Sequence, residues 1–181
     1  MEQFSHYPAS YIMRREDPDS HRITHLWRFK STKKSRWYIV EIECFGEHLI
    51  AIKFYPKNFR LSEQRYSLMT NDNEPRTIVS SCLYVVKHYL DKDPLLSFGF
   101  VAAQDIDEKK RQRPVNRRFS FYQRMVVSFF GTKTFNHFYD EHQRVYLLIN
   151  NDGLKKKVIS AGYIEELLNE LYAGEFNFSW D

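Results

Sequence analysis

Six cations fall within ten residues, Lys109, Lys110, Arg111, Arg113, Arg117 and Arg118, and Arg124 extends the run into the next segment. Such a stretch can neutralise phosphates, which points to nucleic acid or another polyanion as a partner and to binding that weakens with salt. The opposing reading is a solvated loop, because Asp105, Asp107 and Glu108 lie just before it and partly cancel its charge. Glu41 and Glu43 sit two apart in an apolar segment and therefore share one face of a strand. They serve either as a general base or as part of a solvated sheet face. His137, Asp140, Glu141 and His142 offer four metal-ligand types within six residues, but their spacing does not fit one helical face and no metal is expected there.

These groups need elements to position them. Residues 1–21 carry no clear period and read as an irregular lead-in with docked aromatics such as Tyr11. Alternation begins at Ile23 and runs to Lys30, a first strand. Arg36 to Phe45 and His48 to Tyr55 are rich in β-branched and aromatic residues and are joined at Gly46, which predicts an antiparallel hairpin. At Glu74-Pro75 the period changes: Ile78, Cys82, Val86 and Leu90 recur every four residues, a helix of about four turns. Leu95 to Ala103 reads as a buried strand, and residues 104–115 as an exposed basic loop. A second helix is expected over 116–130, with Phe119, Tyr122, Val126 and Phe129 on its apolar face. Phe135 to Tyr139 reads as an aromatic link, Val145 to Ile149 as a strand and Asn150 to Gly153 as a turn. A last helix starts near Ser160, and Phe176, Phe178 and Trp180 suggest a docked edge strand.

A length of 181 residues suits one domain of mixed α/β type, and 43% apolar with 17% aromatic residues is enough to fill its core. The net charge of +4 favours polyanions without demanding them. No stretch approaches the apolar length of a membrane helix, and the first residues lack the order of a signal peptide, so a cytoplasmic protein without a membrane partner is expected. Cys44 and Cys82 lie far apart in core-forming segments and read as buried thiols. No serine-hydrolase elbow and no Walker lysine loop occurs. Phe135, Phe138 and Tyr139 leave open a third use, as an aromatic surface for a protein partner.

The run Asn116-Arg-Arg-Phe-Ser-Phe-Tyr-Gln-Arg-Met resembles the pattern of an asparagine, a small residue three on and a tyrosine six on found in the GNAT acyltransferases, with Phe119 where that family usually has alanine. The order of meander, helix, strand, helix, strand is similar too, followed here by an additional C-terminal helix. The resemblance implies a GNAT-like mixed sheet, an acyl-CoA such as acetyl-CoA as cofactor, Asn116 near the end of its site, Tyr122 as the acid that protonates the departing thiolate, and Glu41 or Glu43 as base. A V-shaped opening between the strands at 47–55 and 95–103 would suggest a cofactor slot, whereas a closed, filled sheet there would remove the enzyme reading. The family's pyrophosphate loop needs glycine for close backbone approach. The corresponding stretch here, from Tyr66 to Thr77, contains none, and Asp72 and Glu74 put negative charge there. The expectation is therefore an atypical acyltransferase or an inactive one kept as a binding module.

Overall fold

The computed structural model describes residues 4–66, 73–102, 117–140 and 144–172. Within them the chain is a mixed α/β fold built on one seven-stranded sheet. The strands are β1 (Ser10–Glu16), β2 (Ile23–Ser31), β3 (Arg36–Cys44), β4 (Leu49–Pro56), β5 (Ser97–Val101), β6 (Phe135–Asp140) and β7 (Val145–Asn150), in the spatial order β1-β2-β3-β4-β5-β7-β6. Helix α1 (Pro75–Lys92) connects β4 to β5, α2 (Arg117–Phe130) follows β5, and α3 (Asn151–Lys155) and α4 (Ala161–Tyr172) follow β7. Neighbouring strands run antiparallel except β4 and β5, which are parallel.

Strand alternation divides the core in two. Phe29, Tyr38, Val40, Ile42, Ile50, Phe98, Tyr146 and Leu148 point to the face covered by α1 and α2, where Val79, Cys82, Val86, Phe119, Val126 and Phe129 meet them. Leu49, Leu147 and Ile149 point the other way and pack with Ile159 and with Ile164 of α4. Burying such side chains stabilises the sheet by roughly 1.5–3 kcal/mol each relative to exposure. The hairpin between β3 and β4 turns at Gly46, whose φ of +57° is cheap for glycine. A Cβ there would meet the Tyr163 hydroxyl at 2.8 Å.

Three sequence expectations are corrected. Residues 10–16 are not an irregular lead-in but the edge strand β1, paired with β2. Every residue of it is exposed, so no apolar period marks it, and its backbone pairing with β2 is what defines it. Residues 135–140 form strand β6 instead of a link. Asn150 does not sit in a simple turn: its side-chain oxygen accepts from the amides of Asp152 and Gly153 and caps α3, while its amide group donates to the Pro94 carbonyl. The basic loop over 104–115 and the aromatic tail after 172 lie outside the described residues.

No helix among the described residues is long and apolar enough to cross a membrane. Cys44 and Cys82 are free thiols, the first half-buried and the second buried.

Candidate functional site: the opening between β4 and β5

β4 and β5 are paired at Leu49 with Ser97, Ile50 with Phe98 and Ala51 with Gly99, and there the ladder stops. β4 itself continues to Pro56, still paired with β3 throughout. Beyond Ala51 the two parallel strands therefore part. Gly99 stands where they do so because β7 crowds it from the other side: a Cβ there would lie 2.5 Å from Leu147 Cδ2 and 2.9 Å from the Tyr146 carbonyl oxygen.

The parting leaves a cavity of about 220 Å³. Ile52, Phe54 and Phe100 contribute its walls from the sheet, Val79, Cys82 and Leu83 from α1, and Tyr122 and Val126 from α2. Lys53, Tyr66, Val101 and Arg118 complete it. Since Ile52 and Lys53 are successive residues of one strand and point to opposite faces, the cavity passes through the plane of the sheet. Most of its wall is apolar, with two phenols and two cations as polar groups.

Tyr122 stands at the wall while its ring packs 5.7 Å from Phe54 and 5.6 Å from Phe100 between ring centres, so packing and site position coincide in this residue. The Arg118 guanidinium donates to the Tyr66 carbonyl and ties the start of α2 to the loop after β4. Tyr66 is anchored by its hydroxyl, which donates to Glu41 Oε2 at 2.5 Å. The Tyr55 hydroxyl donates to Glu41 Oε1 at 3.3 Å, and Arg15 approaches the same oxygen at 3.8 Å.

Glu41 and Glu43 are not on a solvated face, for their exposures are only 3% and 7%. Glu43 is held by Lys53 Nζ at 2.5 Å and by Arg22 at 3.5 Å. Neither carboxylate lines the cavity; their partners Tyr66 and Lys53 do. A buried carboxylate is stable only when its oxygens are satisfied, and phenols and cations meet that need here. In turn, burial first, then the bond to Glu41 and its charge, push the Tyr66 hydroxyl far above the ordinary tyrosine range. Tyr55 is raised by burial and then by the charge of Glu41. Both phenols thus remain protonated donors at neutral pH.

The start of α1 is internally engaged as well. Glu74, the residue before the helix, is buried, and its carboxylate accepts from the Ser31 hydroxyl and, at 2.6 Å, from the Tyr7 hydroxyl. Pro75 at the first helical position has no N–H. A carboxylate and a missing donor do not suit a diphosphate at this helix end.

Of the other sequence candidates, Arg117 and Arg124 are exposed on α2. Lys109, Lys110, Arg111, Arg113 and Asn116 lie outside the described residues, as do Glu141 and His142. His137 is committed to protein partners: one ring nitrogen lies 2.7 Å from the Tyr146 hydroxyl and the other 2.8 Å from the Gly131 carbonyl. No cluster of three metal-ligating residues occurs among the described residues. The proposed aromatic surface is corrected too, since Phe135 is core and Phe138 packs against the second cluster, leaving only Tyr139 exposed.

Lys53, Tyr66 and Cys82 were not among the sequence candidates. A signal existed for Lys53, because the hairpin register about Gly46 sets it opposite Glu41. Tyr66 is brought in by the irregular chain after β4, for which sequence period gives no guide. Comparison of the chain with protein-family models, with curated proteins and with solved structures finds no match.

Proposed function

We propose that this chain is a GNAT-like domain whose opening between β4 and β5 takes the narrow arm of an acyl thioester. The observation that carries the reading is the parallel ladder that ends after three residue pairs and leaves a lined cavity behind it. The succession of meander, α1, β5 and α2 supports it. A volume of about 220 Å³ is below the ~300–1,000 Å³ typical of whole small-molecule sites, which favours an extended arm over an entire cofactor.

An acyl thioester supplies an activated carbonyl to an incoming amine. Tyr122 holds the proton that the departing sulfur needs, at the one phenol of α2 that reaches the cavity wall. Tyr66 donates its hydroxyl hydrogen bond to Glu41 and stays protonated, which leaves the lone pairs of its oxygen to accept from an amide N–H along the arm. Glu41 acts through Tyr66 and Glu43 through Lys53; both are positioning residues. The residues at the start of α1 do not fit a diphosphate, so acetyl-CoA or another acyl-CoA would be held by its arm and not by its nucleotide end.

Thermal denaturation with acetyl-CoA and with an acyl-cysteamine thioester, which lacks the diphosphate, tests this. Both are expected to raise Tm to similar extents, with Tyr122→Phe preserving the shift while slowing acyl transfer to an amine. Absence of a shift with either ligand removes the slot reading. A shift with acetyl-CoA alone shows that the nucleotide end is gripped and overturns the arm-only reading.

A further inference from the structure

A second concavity lies where the β2–β3 turn and the start of β3 meet the chain after β4. It is open, about 600 Å³, and lined by Lys34, Ser35, Arg36, Trp37, Lys57, Asn58, Arg60 and Leu61. Lys34 and Ser35 come from the β2–β3 turn, Arg36 and Trp37 from the start of β3, and the rest from the short helical turn after β4 and the residues that follow it. Four of the eight lining residues are cations and none is a carboxylate. Two further cations converge on its aromatic wall: the Arg28 guanidinium and the Lys30 ammonium stand 5.0 and 5.9 Å from the centre of the Trp37 indole.

Two features separate this surface from an ordinary solvated patch. A large aromatic ring, 36% exposed, is set among the cations, and Leu61 beside it is 89% exposed. Indole surface left to water alongside convergent positive charge matches a ligand that alternates phosphate with flat apolar rings. Each base can stack on an aromatic side chain while cations follow the backbone, whatever the sequence. An acidic protein segment would satisfy the charge but leave the indole without a matching face.

We propose that this concavity binds single-stranded nucleic acid, with Trp37 stacking on a base and Lys34, Arg36, Lys57 and Arg60 facing the phosphates. The inference does not rest on the slot between β4 and β5, which lies elsewhere in the sheet and is tested with different ligands. It also differs from the sequence expectation for residues 104–118, because every lining residue here comes from the β2–β3 turn, the start of β3 and the chain after β4.

Fluorescence anisotropy of a labelled oligouridylate, read against rising salt, tests it in the full chain. Binding is expected with a log–log salt slope of about −3, from about −0.7 for each of four phosphates contacted on a single strand. Lys57→Glu with Arg60→Glu, both exposed positions that leave the core untouched, should weaken binding at least tenfold. Trp37→Ala should weaken it about tenfold and abolish quenching of tryptophan emission by the oligonucleotide, with Trp37→Phe retaining most of the affinity. No binding at low salt overturns the proposal. So does a loss seen only with Arg111→Glu and Arg113→Glu, which would move the contact to the other basic segment. Equal competition by polyaspartate, with Trp37→Ala neutral, marks an acidic-protein surface and overturns it as well.

Discussion

Along β4, the edge toward β3 is paired at seven positions, from Cys44 with Ile50 to Tyr38 with Pro56, whereas the edge toward β5 is paired at three. The paired edge is reinforced by side chains: Lys53 reaches Glu43, and Tyr55 reaches Glu41. On the parted edge the same strand presents Ile52, Lys53 and Phe54 to a cavity. One strand thus serves both as a structural member and as a site wall. Rigidity on one edge is what keeps the other from collapsing, since interiors close-pack when their parts can move.

The largest effect should come from the residue at which the two behaviours meet. Gly99→Val would drive a branched side chain into Leu147 and the Tyr146 carbonyl, and is expected to cost about 3 kcal/mol or more in urea unfolding. A cost under ~1 kcal/mol would mean that β5 and β7 shift apart easily and that the opening is not fixed by this packing. Next, Glu41→Ala leaves Tyr55 and Tyr66 without their buried acceptor, for an expected loss of about 2–3 kcal/mol. Glu41→Gln keeps an acceptor and should lose about half as much by the same measurement. Tyr122→Phe, on the parted edge, should change stability by less than ~1 kcal/mol, yet slow acyl transfer. A large destabilisation would show that its hydroxyl serves the fold and not the slot.

The smallest effect is expected in the alkaline range. Tyr55 and Tyr66 are raised above the ordinary tyrosine value of 10, chiefly by burial, and burial pushes Tyr89 and Tyr146 up to about 12. Each phenol is therefore still protonated in the folded chain at pH values where the unfolded chain has begun to lose that proton. The unfolded state then binds fewer protons, and stability falls as pH rises past about 10. Below that pH the contribution is complete. Tm followed from pH 8 to 11 should be level and then decline, with part of the tyrosinate absorbance appearing only on unfolding. Glu41→Gln should lower the onset for Tyr66.

How much of this could be read from sequence follows from what each element buries. The β3–β4 hairpin, α1 and α2 put apolar side chains on one face, so their periods were legible and their bounds close. β1 buries none and β6 mixes polar with aromatic positions, so both escaped notice despite regular backbone pairing. The site was less legible than the fold. Glu41, Glu43, Tyr122 and Arg118 could be singled out by type, but their roles depend on partners tens of positions away, such as Tyr66 for both Glu41 and Arg118. The opening itself has no residue signature at all. It arises where a ladder ends, and the approach of Gly99 to β7 that helps to set this place is visible only in three dimensions.

The thiol of Cys82 lies on the inner wall of the slot, where burial makes it a poor thiolate. The other cysteine, Cys44, is half-buried on β3 and does not line the slot. After replacement of Cys44 by serine, the rate at which an uncharged alkylating reagent consumes the remaining sulfhydryl becomes a clock for solvent entry. Any molecule that seats itself between the diverging strands should slow that clock, whatever its chemistry, and so report occupancy without a label.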